Sequence, residues 1–98
     1  MIVELNEQNF DKEALHGLKL IEFYTTWCMY CKRHRIEMID LEDSDVWIGI
    51  VDGDESPNLV RKYNIQAYPT FVLLKNGEKV REFQGFHEKS QLLRKAMI

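Results

Sequence analysis

Hydrophobic residues lie along the chain in short blocks separated by polar turns, and such blocks predict β-strands. The blocks cover residues 2–5, 20–24, 46–51 and 70–74. The third block is apolar almost throughout, which is typical of a central strand buried on both faces. Asn76-Gly77 predicts a tight hairpin after the fourth block, with an antiparallel return over residues 79–83. The pattern therefore predicts five strands.

Helical spacing of apolar residues predicts four helices, three between the strands and one after them. The first ends at Gly17, and the third begins at Ser56-Pro57 and stops at Asn64. The apolar residues available to pack from the second and fourth helices are Ile36, Met38, Ile39, Leu41, Leu92, Leu93, Ala96 and Met97. The element order is then βαβαβα followed by ββα. It predicts an α/β fold with a central mixed sheet flanked by helices on both faces.

Size and charge limit the possible functions. The chain has 98 residues, 45% of them hydrophobic, which suits one globular domain over residues 1–98. Thirteen basic and sixteen acidic residues give a net charge of −3, so the chain lacks the basic field that nucleic acid or an anionic membrane would select. The first residues do not resemble a leader, and no apolar block is long enough to span a membrane. We expect a cytoplasmic protein, monomeric and without nucleic-acid or membrane partners.

The two cysteines lie at the junction between the second strand and the second helix, in the segment Trp27-Cys28-Met29-Tyr30-Cys31-Lys32. Cys28 is expected at or just before the first helical turn, and Cys31 follows on the same face. Residues spaced in this way are roughly 5 to 6 Å apart, a separation that a disulfide can bridge. Unpaired N–H groups and the positive dipole at a helix N-terminus stabilise a thiolate, the reactive form. We expect Cys28 to be the exposed nucleophile and Cys31 the shielded resolving thiol.

A zinc site is the alternative use of these cysteines, with His34 extending the motif to C-x-x-C-x-x-H. A structural zinc site normally takes four ligands, and neither His16 nor His87 has a suggestive spacing. In a reducing compartment, two cysteines are more often catalytic or metal-binding than structural. We interpret the pair as redox-active and His34 as a solvated helix residue.

Further motifs surround the cysteines. An apolar strand precedes them, Tyr68-Pro69-Thr70 opens a later strand, and an Asn-Gly hairpin follows it. Through residues 23–32, 63–70 and 75–78 and through Gly85, the chain resembles the thioredoxin family along nearly its whole length. The resemblance implies the thioredoxin fold and a thiol–disulfide oxidoreductase that reduces protein disulfides through its two cysteines.

The resemblance also implies roles for residues outside the cysteine motif. Pro69 matches the family's cis-proline, which lets the backbone of Tyr68 pair with an extended substrate segment. Gly85 matches a glycine that keeps the substrate-facing surface flat. Glu22 matches a buried acid that takes the proton of Cys31 during resolution. From the sequence alone, Glu22 could instead lie at the periphery of the sheet with its carboxylate in water.

The chain departs from the family pattern in three places. Met29-Tyr30 stands where thioredoxins have Gly-Pro, and a tyrosine before the second cysteine is found in glutaredoxins. Ile50 stands where many thioredoxins have a lysine that partners the buried acid. Glu22 is therefore expected to lack that countercharge and to be harder to ionise. Ile36 stands in place of the proline that kinks the second helix, which predicts a straighter helix here.

Apolar residues beside the reactive thiol predict a docking surface for substrates, to which we assign Trp27, Met29 and Tyr30. Tyr68-Pro69 is expected to supply a backbone edge next to it. We expect no bound cofactor, and we expect a thioredoxin-reductase-like protein or a small thiol to return the electrons. Two alternatives stay open. One is a glutaredoxin-like reductase that uses glutathione, indicated by Tyr30, and the other is a redox-inactive or metal-dependent module that binds peptides at Tyr68-Pro69.

Overall fold

The protein folds around a five-stranded mixed sheet, as the hydrophobic pattern predicts. The computed structural model describes residues 1–97, and its strands are β1 Ile2–Leu5, β2 Leu18–Tyr24, β3 Ile48–Asp52, β4 Thr70–Lys75 and β5 Glu78–Gln84. Their order in the sheet is β1-β3-β2-β4-β5. β3 runs parallel to β1 and β2, whereas β4 runs antiparallel to β2 and β5. β2 therefore occupies the centre, and the strongly apolar β3 is internal beside it.

The four helices also follow the predicted order, as α1 Phe10–Ala14, α2 Met29–Ile39, α3 Pro57–Lys62 and α4 Lys89–Lys95. On one face of the sheet, α1 and α3 share a core made of Phe10, Ala14, Leu59, Ile21, Phe23 and Val72 among others. On the other face, α2 and α4 share a second core that includes Met38, Leu92, Leu20, Ile48, Phe71 and Leu73. Within residues 1–97, no helix is both long enough and apolar enough to cross a membrane. The predicted α/β fold with helices on both faces is confirmed.

Left-handed backbone conformations occur at the residues that the sequence marked as turns. Asn64 has a φ of 55° just after α3, and Gly17 has a φ of 69° after α1. Asn76 and Gly77 have φ values of 50° and 85°, which close the hairpin between β4 and β5. These turns form where expected because asparagine and glycine tolerate positive φ at little cost.

The expectation that Ile36, Ile39 and Met97 are available to pack in the core is wrong. Their exposed fractions are 70%, 63% and 62%. α2 faces the sheet through positions 31, 34 and 38, a helical stripe that leaves Ile36 and Ile39 on its outer side. The inner face of α2 is therefore narrower and more polar than its apolar content suggested.

Three segments that are distant in sequence meet at the carboxyl end of β2. Phe23 pairs with Thr70, so the end of β2 adjoins the start of β4. Thr70 also pairs with Gln84, so the end of β5 arrives at the same edge of the sheet. α2 begins at this edge, a few residues after β2 ends. The topology thus places the cysteine motif next to positions 68, 69 and 85.

Candidate active site

Cys28 is the N-cap residue of α2, directly before Met29. Its backbone is extended, with φ −83° and ψ 117°, as is usual for the residue that caps a helix N-terminus. Its Sγ accepts a hydrogen bond from the Cys31 N–H at 3.2 Å, and its carbonyl oxygen accepts one from the Lys32 N–H at 3.2 Å. The predicted position at the helix N-terminus is confirmed, and helix N–H groups directed at a sulfur atom stabilise its thiolate form.

Both thiols are free; Cys31 is shielded as expected, but Cys28 is more buried than expected. Cys28 is only 6% exposed and Cys31 is 3% exposed. The expectation of an exposed Cys28 is therefore wrong, because the backbone before β4 lies against this residue. Burial, together with the hydrogen bond to Cys28 and repulsion from Cys28 and Glu22, raises the pKa of the Cys31 thiol to about 12. Cys31 is consequently held in its protonated form at neutral pH.

The backbone that covers Cys28 belongs to Tyr68 and Pro69, which are joined by a cis peptide bond as the family resemblance predicts. The Cys28 thiol donates a hydrogen bond to the Tyr68 carbonyl oxygen, with an S···O distance of 3.5 Å. The Gly85 N–H donates to the Pro69 carbonyl oxygen at 3.0 Å. Gly85 has a φ of 87°, a conformation that suits glycine, and the space where a Cβ would lie is open. The fold therefore places Tyr68, Pro69 and Gly85 beside Cys28, although they lie far from it in the sequence.

Glu22 lies in β2 and is fully buried. This confirms that its carboxyl is buried and does not lie in water at the periphery of the sheet. Burial raises the pKa of its carboxyl from 4.5 to about 7, and the positive charge of Arg35 opposes this rise. Ile50 is the register partner of Glu22 on β3 and carries no charge. Glu22 is thus hard to ionise because burial removes water from its carboxylate, and the neighbouring strand supplies no cation to offset this effect.

His34 is not the solvated helix residue that we expected, because its exposed fraction is 0%. Its ring packs against Phe71 and Phe86, with centroid separations of 4.7 and 5.6 Å. Its Nδ1 lies 3.9 Å from Oε2 of Glu22. Burial, followed by the nearby charge of His87, lowers the pKa of His34 to about 4. The ring is therefore neutral at pH 7, and its contact with Glu22 is not an ion pair.

The spacing of residues along α2 contains a signal for the burial of His34. Cys31, His34 and Met38 fall on one helical stripe, and all three are buried. A polar residue in such a stripe faces the sheet whatever its type, so position was a better guide than polarity. Among residues 1–97, no three or more His, Cys, Asp or Glu side chains are grouped so that they could hold a metal ion.

A cavity of about 220 Å³ opens beside the second cysteine. Its lining consists of Tyr24, Thr25, Thr26, Cys31, Lys32 and Arg35. The guanidinium of Arg35 lies 4.9 Å from the ring centroid of Tyr24, a cation–π contact that holds it at this wall. The cavity therefore brings solvent and two cationic side chains close to Cys31.

The three residues of the docking surface are exposed, as predicted, with fractions of 65% for Trp27, 69% for Met29 and 58% for Tyr30. The indole N–H of Trp27 donates to Oδ2 of Asp54 at 2.9 Å. Its ring meets the ring of Tyr68 edge-on, with the centroids 6.1 Å apart. Sequence reasoning missed Asp54, because nothing near it in the chain connects it with the cysteines. These contacts hold Trp27 in place while its face stays open to a partner.

Glycine at position 53 also supports this arrangement. A Cβ added to Gly53 would overlap the ring of Tyr68, so only glycine leaves room for that ring where it lies. The Gly53 N–H donates to the Tyr24 carbonyl oxygen at 2.8 Å, which ties the end of β3 to the end of β2. In the sequence Gly53 simply follows the third apolar block, and its role as a spacer for Tyr68 appears in the tertiary structure alone.

Comparison with known protein families gives a match over nearly the whole chain. The family model described as Thioredoxin matches residues 1–97. A thioredoxin from Staphylococcus haemolyticus is 34% identical over 94 residues, which cover 93% of this chain and 90% of the relative. A thioredoxin from Chlamydia caviae is 33% identical over 96 residues, which cover 96% of this chain and 94% of the relative.

Solved structures agree with the sequence comparisons. A mutant thioredoxin from Halobacterium salinarum superposes with a TM-score of 0.88 at 26% identity, covering 97% of this chain and 87% of that one. A thioredoxin from Malassezia sympodialis superposes with a TM-score of 0.85 at 27% identity, covering 98% of this chain and 88% of that one. The similarity therefore extends through the whole sheet and its helices.

Proposed function

This chain belongs to the thioredoxin family of thiol–disulfide oxidoreductases, and from that premise we propose that Cys28 attacks protein disulfides and Cys31 completes the exchange. The Cys28 thiolate attacks one sulfur of a substrate disulfide, forms a mixed disulfide and expels the other substrate sulfur. Cys31 then attacks Sγ of Cys28, which closes the intramolecular disulfide and releases the second substrate sulfur. Two electrons pass from the dithiol to the substrate.

The observation that carries this assignment is the hydrogen bond from the Cys31 N–H to Sγ of Cys28. A helix N–H donor stabilises negative charge on the sulfur that must attack. The burial that raises the pKa of Cys31 favours its protonated form until the mixed disulfide exists. Negative charge is therefore stabilised on Cys28, which must attack, while Cys31 stays protonated, as its later role requires.

Glu22 supports the second step as a proton acceptor. When Cys31 attacks, its proton passes to the Glu22 carboxylate, its sulfur bonds to Sγ of Cys28, and the electron pair of the broken bond leaves with the substrate sulfur. A base with a pKa of about 7 is suited to this task near neutral pH, since it can both accept and release a proton there. The proton then returns to solvent before the next cycle.

Substrate binding is assigned to the surface around Cys28. The backbone at Tyr68 and Pro69 offers an edge along which an extended substrate segment can pair, a common mode of peptide recognition. Gly85 leaves the adjoining space open. The docking surface supplies apolar area, and the anchored ring of Trp27 does so with little loss of side-chain freedom on binding. Disulfides in extended or loosely folded protein segments are the substrates that fit this arrangement.

Reduction of the closed disulfide needs an electron donor, for which we propose a thioredoxin-reductase-like protein or a small thiol. The decisive experiment compares two substrates on metal-free protein with dithiothreitol or glutathione as donor. We expect rapid reduction of insulin disulfides with dithiothreitol and slow turnover of a glutathione mixed disulfide with glutathione. The reverse preference would support the glutaredoxin-like alternative, and no turnover of either substrate would support the peptide-binding alternative.

A further inference from the structure

Glu22 and His34 form a buried polar pair, of which the proposed exchange reaction uses only Glu22. Oε2 of Glu22 and Nδ1 of His34 are 3.9 Å apart, and both side chains are 0% exposed. Neither oxygen of Glu22 and neither ring nitrogen of His34 has a hydrogen-bond partner among the described residues. Buried polar atoms without partners cost about 1 to 3 kcal/mol each, so this arrangement strongly favours any contact that pairs them.

The separation between the two groups is small enough for a direct hydrogen bond to form. The last side-chain torsions of glutamate and histidine are soft, so modest rotations bring an oxygen and Nδ1 from 3.9 Å to hydrogen-bonding distance. The side chains of Phe71 and Phe86, which pack against the ring of His34, offer no competing acceptor. Glu22 is the only acid within salt-bridge distance of His34 among residues 1–97.

We propose that His34 is a positioning residue for Glu22, whose carboxylate accepts a hydrogen bond from the Nδ1–H of the neutral imidazole. This bond stabilises the charged form of Glu22 and fixes its orientation beside Cys31. It supplies from α2 the polar partner that β3 does not provide, since Ile50 stands next to Glu22 on that strand. The inference rests on the proposed function, in which Glu22 accepts the proton of Cys31.

The charged groups around the pair favour a neutral imidazole as the donor. Arg35 on α2 and His87 before α4 both disfavour a positive charge on His34. β3 and β4 contribute Ile50 and Phe71 as the register partners of Glu22, and neither carries a charge. On β2 itself, the nearest titratable side chain is that of Tyr24, whose pKa is raised by burial and which stays neutral at pH 7. His34 therefore acts through its N–H and not through a charge.

The hydrogen bond from His34 to Glu22 affects only the second step of the reaction, in which Cys31 resolves the mixed disulfide. When the proton of Cys31 passes to Glu22, one carboxyl oxygen takes it and the other keeps its hydrogen bond from His34. The number of protons on His34 does not change during the cycle. Loss of this donor makes the Glu22 carboxylate less stable, raises the pH at which it becomes available as a base, and slows resolution at pH 7.

The test separates attack from resolution in single turnovers with an aromatic disulfide whose released thiol absorbs light. The first equivalent of released thiol reports attack by Cys28, and the second reports resolution by Cys31. His34→Asn and His34→Leu are a matched pair of nearly equal size, and only the asparagine carries an N–H close to the position of Nδ1. We expect His34→Leu to slow the second equivalent roughly tenfold at pH 7 and to move its pH midpoint up by about one unit. His34→Asn should retain most of the wild-type rate of resolution and most of the wild-type pH midpoint. In each trace, release of the first equivalent serves as the internal reference.

Two further measurements decide what each result means. Glu22→Gln should slow the second equivalent at pH 7 and 8 and remove its rise through pH 7; if it does neither, the assignment of Glu22 in the proposed function fails. If Glu22→Gln slows resolution but His34→Leu and His34→Asn share one pH profile, only the role of His34 is overturned. In the wild-type protein, nitrogen chemical shifts of the His34 ring should report the Nδ1–H tautomer near neutral pH. The Nε2–H tautomer would overturn the proposal even if neither variant folds.

Discussion

The Glu22 carboxyl and the His34 imidazole face each other across the contact between β2 and α2, fully buried and 3.9 Å apart. Burial disfavours the charged form of both groups, but the two charges have opposite signs. The pKa of Glu22 is raised from 4.5 to about 7, whereas the pKa of His34 is lowered from 6.5 to about 4. Folding therefore takes up a proton at Glu22 and releases one at His34 over much of the same pH range.

The first prediction is that these two effects cancel in the wild-type protein. Between pH 4.5 and 6.5, the unfolded state has a charged Glu22 and a charged His34, while the folded state has both neutral. Glu22 alone makes the free energy of unfolding fall as pH rises, and His34 alone makes it rise. Each slope is about 1.4 kcal/mol per pH unit at most. We expect a nearly flat contribution from the pair in this range.

Single variants should expose the two slopes. In Glu22→Gln the free energy of unfolding should rise by about 2 kcal/mol from pH 4.5 to 6.5, because only His34 still titrates. In His34→Leu it should fall by a similar amount, because only Glu22 titrates. Urea denaturation at several pH values measures both, and the double variant is the control that should again be flat. If the free energy of unfolding of the wild type changes steeply with pH, and both single variants change in the same way, then Glu22 and His34 do not titrate in opposition.

The second prediction concerns the difference between the two thiols. Because the pKa of Cys31 is raised to about 12, iodoacetamide at pH 7 should modify Cys28 roughly tenfold faster or more in the reduced protein. Mass spectrometry of digested protein identifies the modified residue. Equal labelling of both cysteines would contradict their assignment as attacking and resolving thiols.

Serine variants test the same assignment through intermediates. Cys28→Ser should abolish disulfide reduction because the attacking thiol is lost. Cys31→Ser should attack substrates but retain them as mixed disulfides, since no thiol remains to resolve the bond. Non-reducing gels show these adducts directly, and their appearance with Cys28→Ser instead would reverse the two roles.

The third prediction concerns the docking surface. Met29 is 69% exposed between the two cysteines, and Met97 is 62% exposed just after α4, so the two provide a matched pair. Met29→Ala should raise KM for insulin disulfides about fivefold, corresponding to about 1 kcal/mol of lost apolar contact. Met97→Ala should leave KM unchanged. A small aromatic disulfide should be reduced equally well by both variants, since it does not reach beyond the cysteines. If the two variants have the same KM for insulin, the docking surface does not contact substrates.

The fourth prediction concerns the reduction potential. Proline in the first helical turn fixes its backbone, whereas Met29-Tyr30 leaves this turn freer. The helix N–H that reaches Sγ of Cys28 favours the reduced, thiolate-bearing state. We expect a potential above the value of about −270 mV typical of thioredoxin and nearer to the glutaredoxin range of about −200 to −230 mV. Met29→Gly combined with Tyr30→Pro should lower it, as measured by equilibration with glutathione buffers. A wild-type value at or below −270 mV, or no shift in the double variant, would contradict this prediction.

The sequence alone determined the features that depend on a few neighbouring residues. The hairpin at Asn76-Gly77 and the helix end at Asn64 follow from the ability of these residues to adopt positive φ. The position of Cys28 at a helix N-terminus follows from an apolar strand directly before a long segment without helix breakers. The family resemblance added Pro69 and Gly85, which local pattern would not have connected with the cysteines.

The tertiary structure decided the surroundings of the reacting groups. The low exposure of Cys28 depends on the backbone of Tyr68, forty residues further along the chain. The burial of His34 depends on Phe71 and Phe86, which reach it from β4 and from the segment before α4. Desolvation is set by all the atoms around a group and not by its neighbours in sequence, so the sequence could name the acid and the thiols but not the histidine that faces the acid.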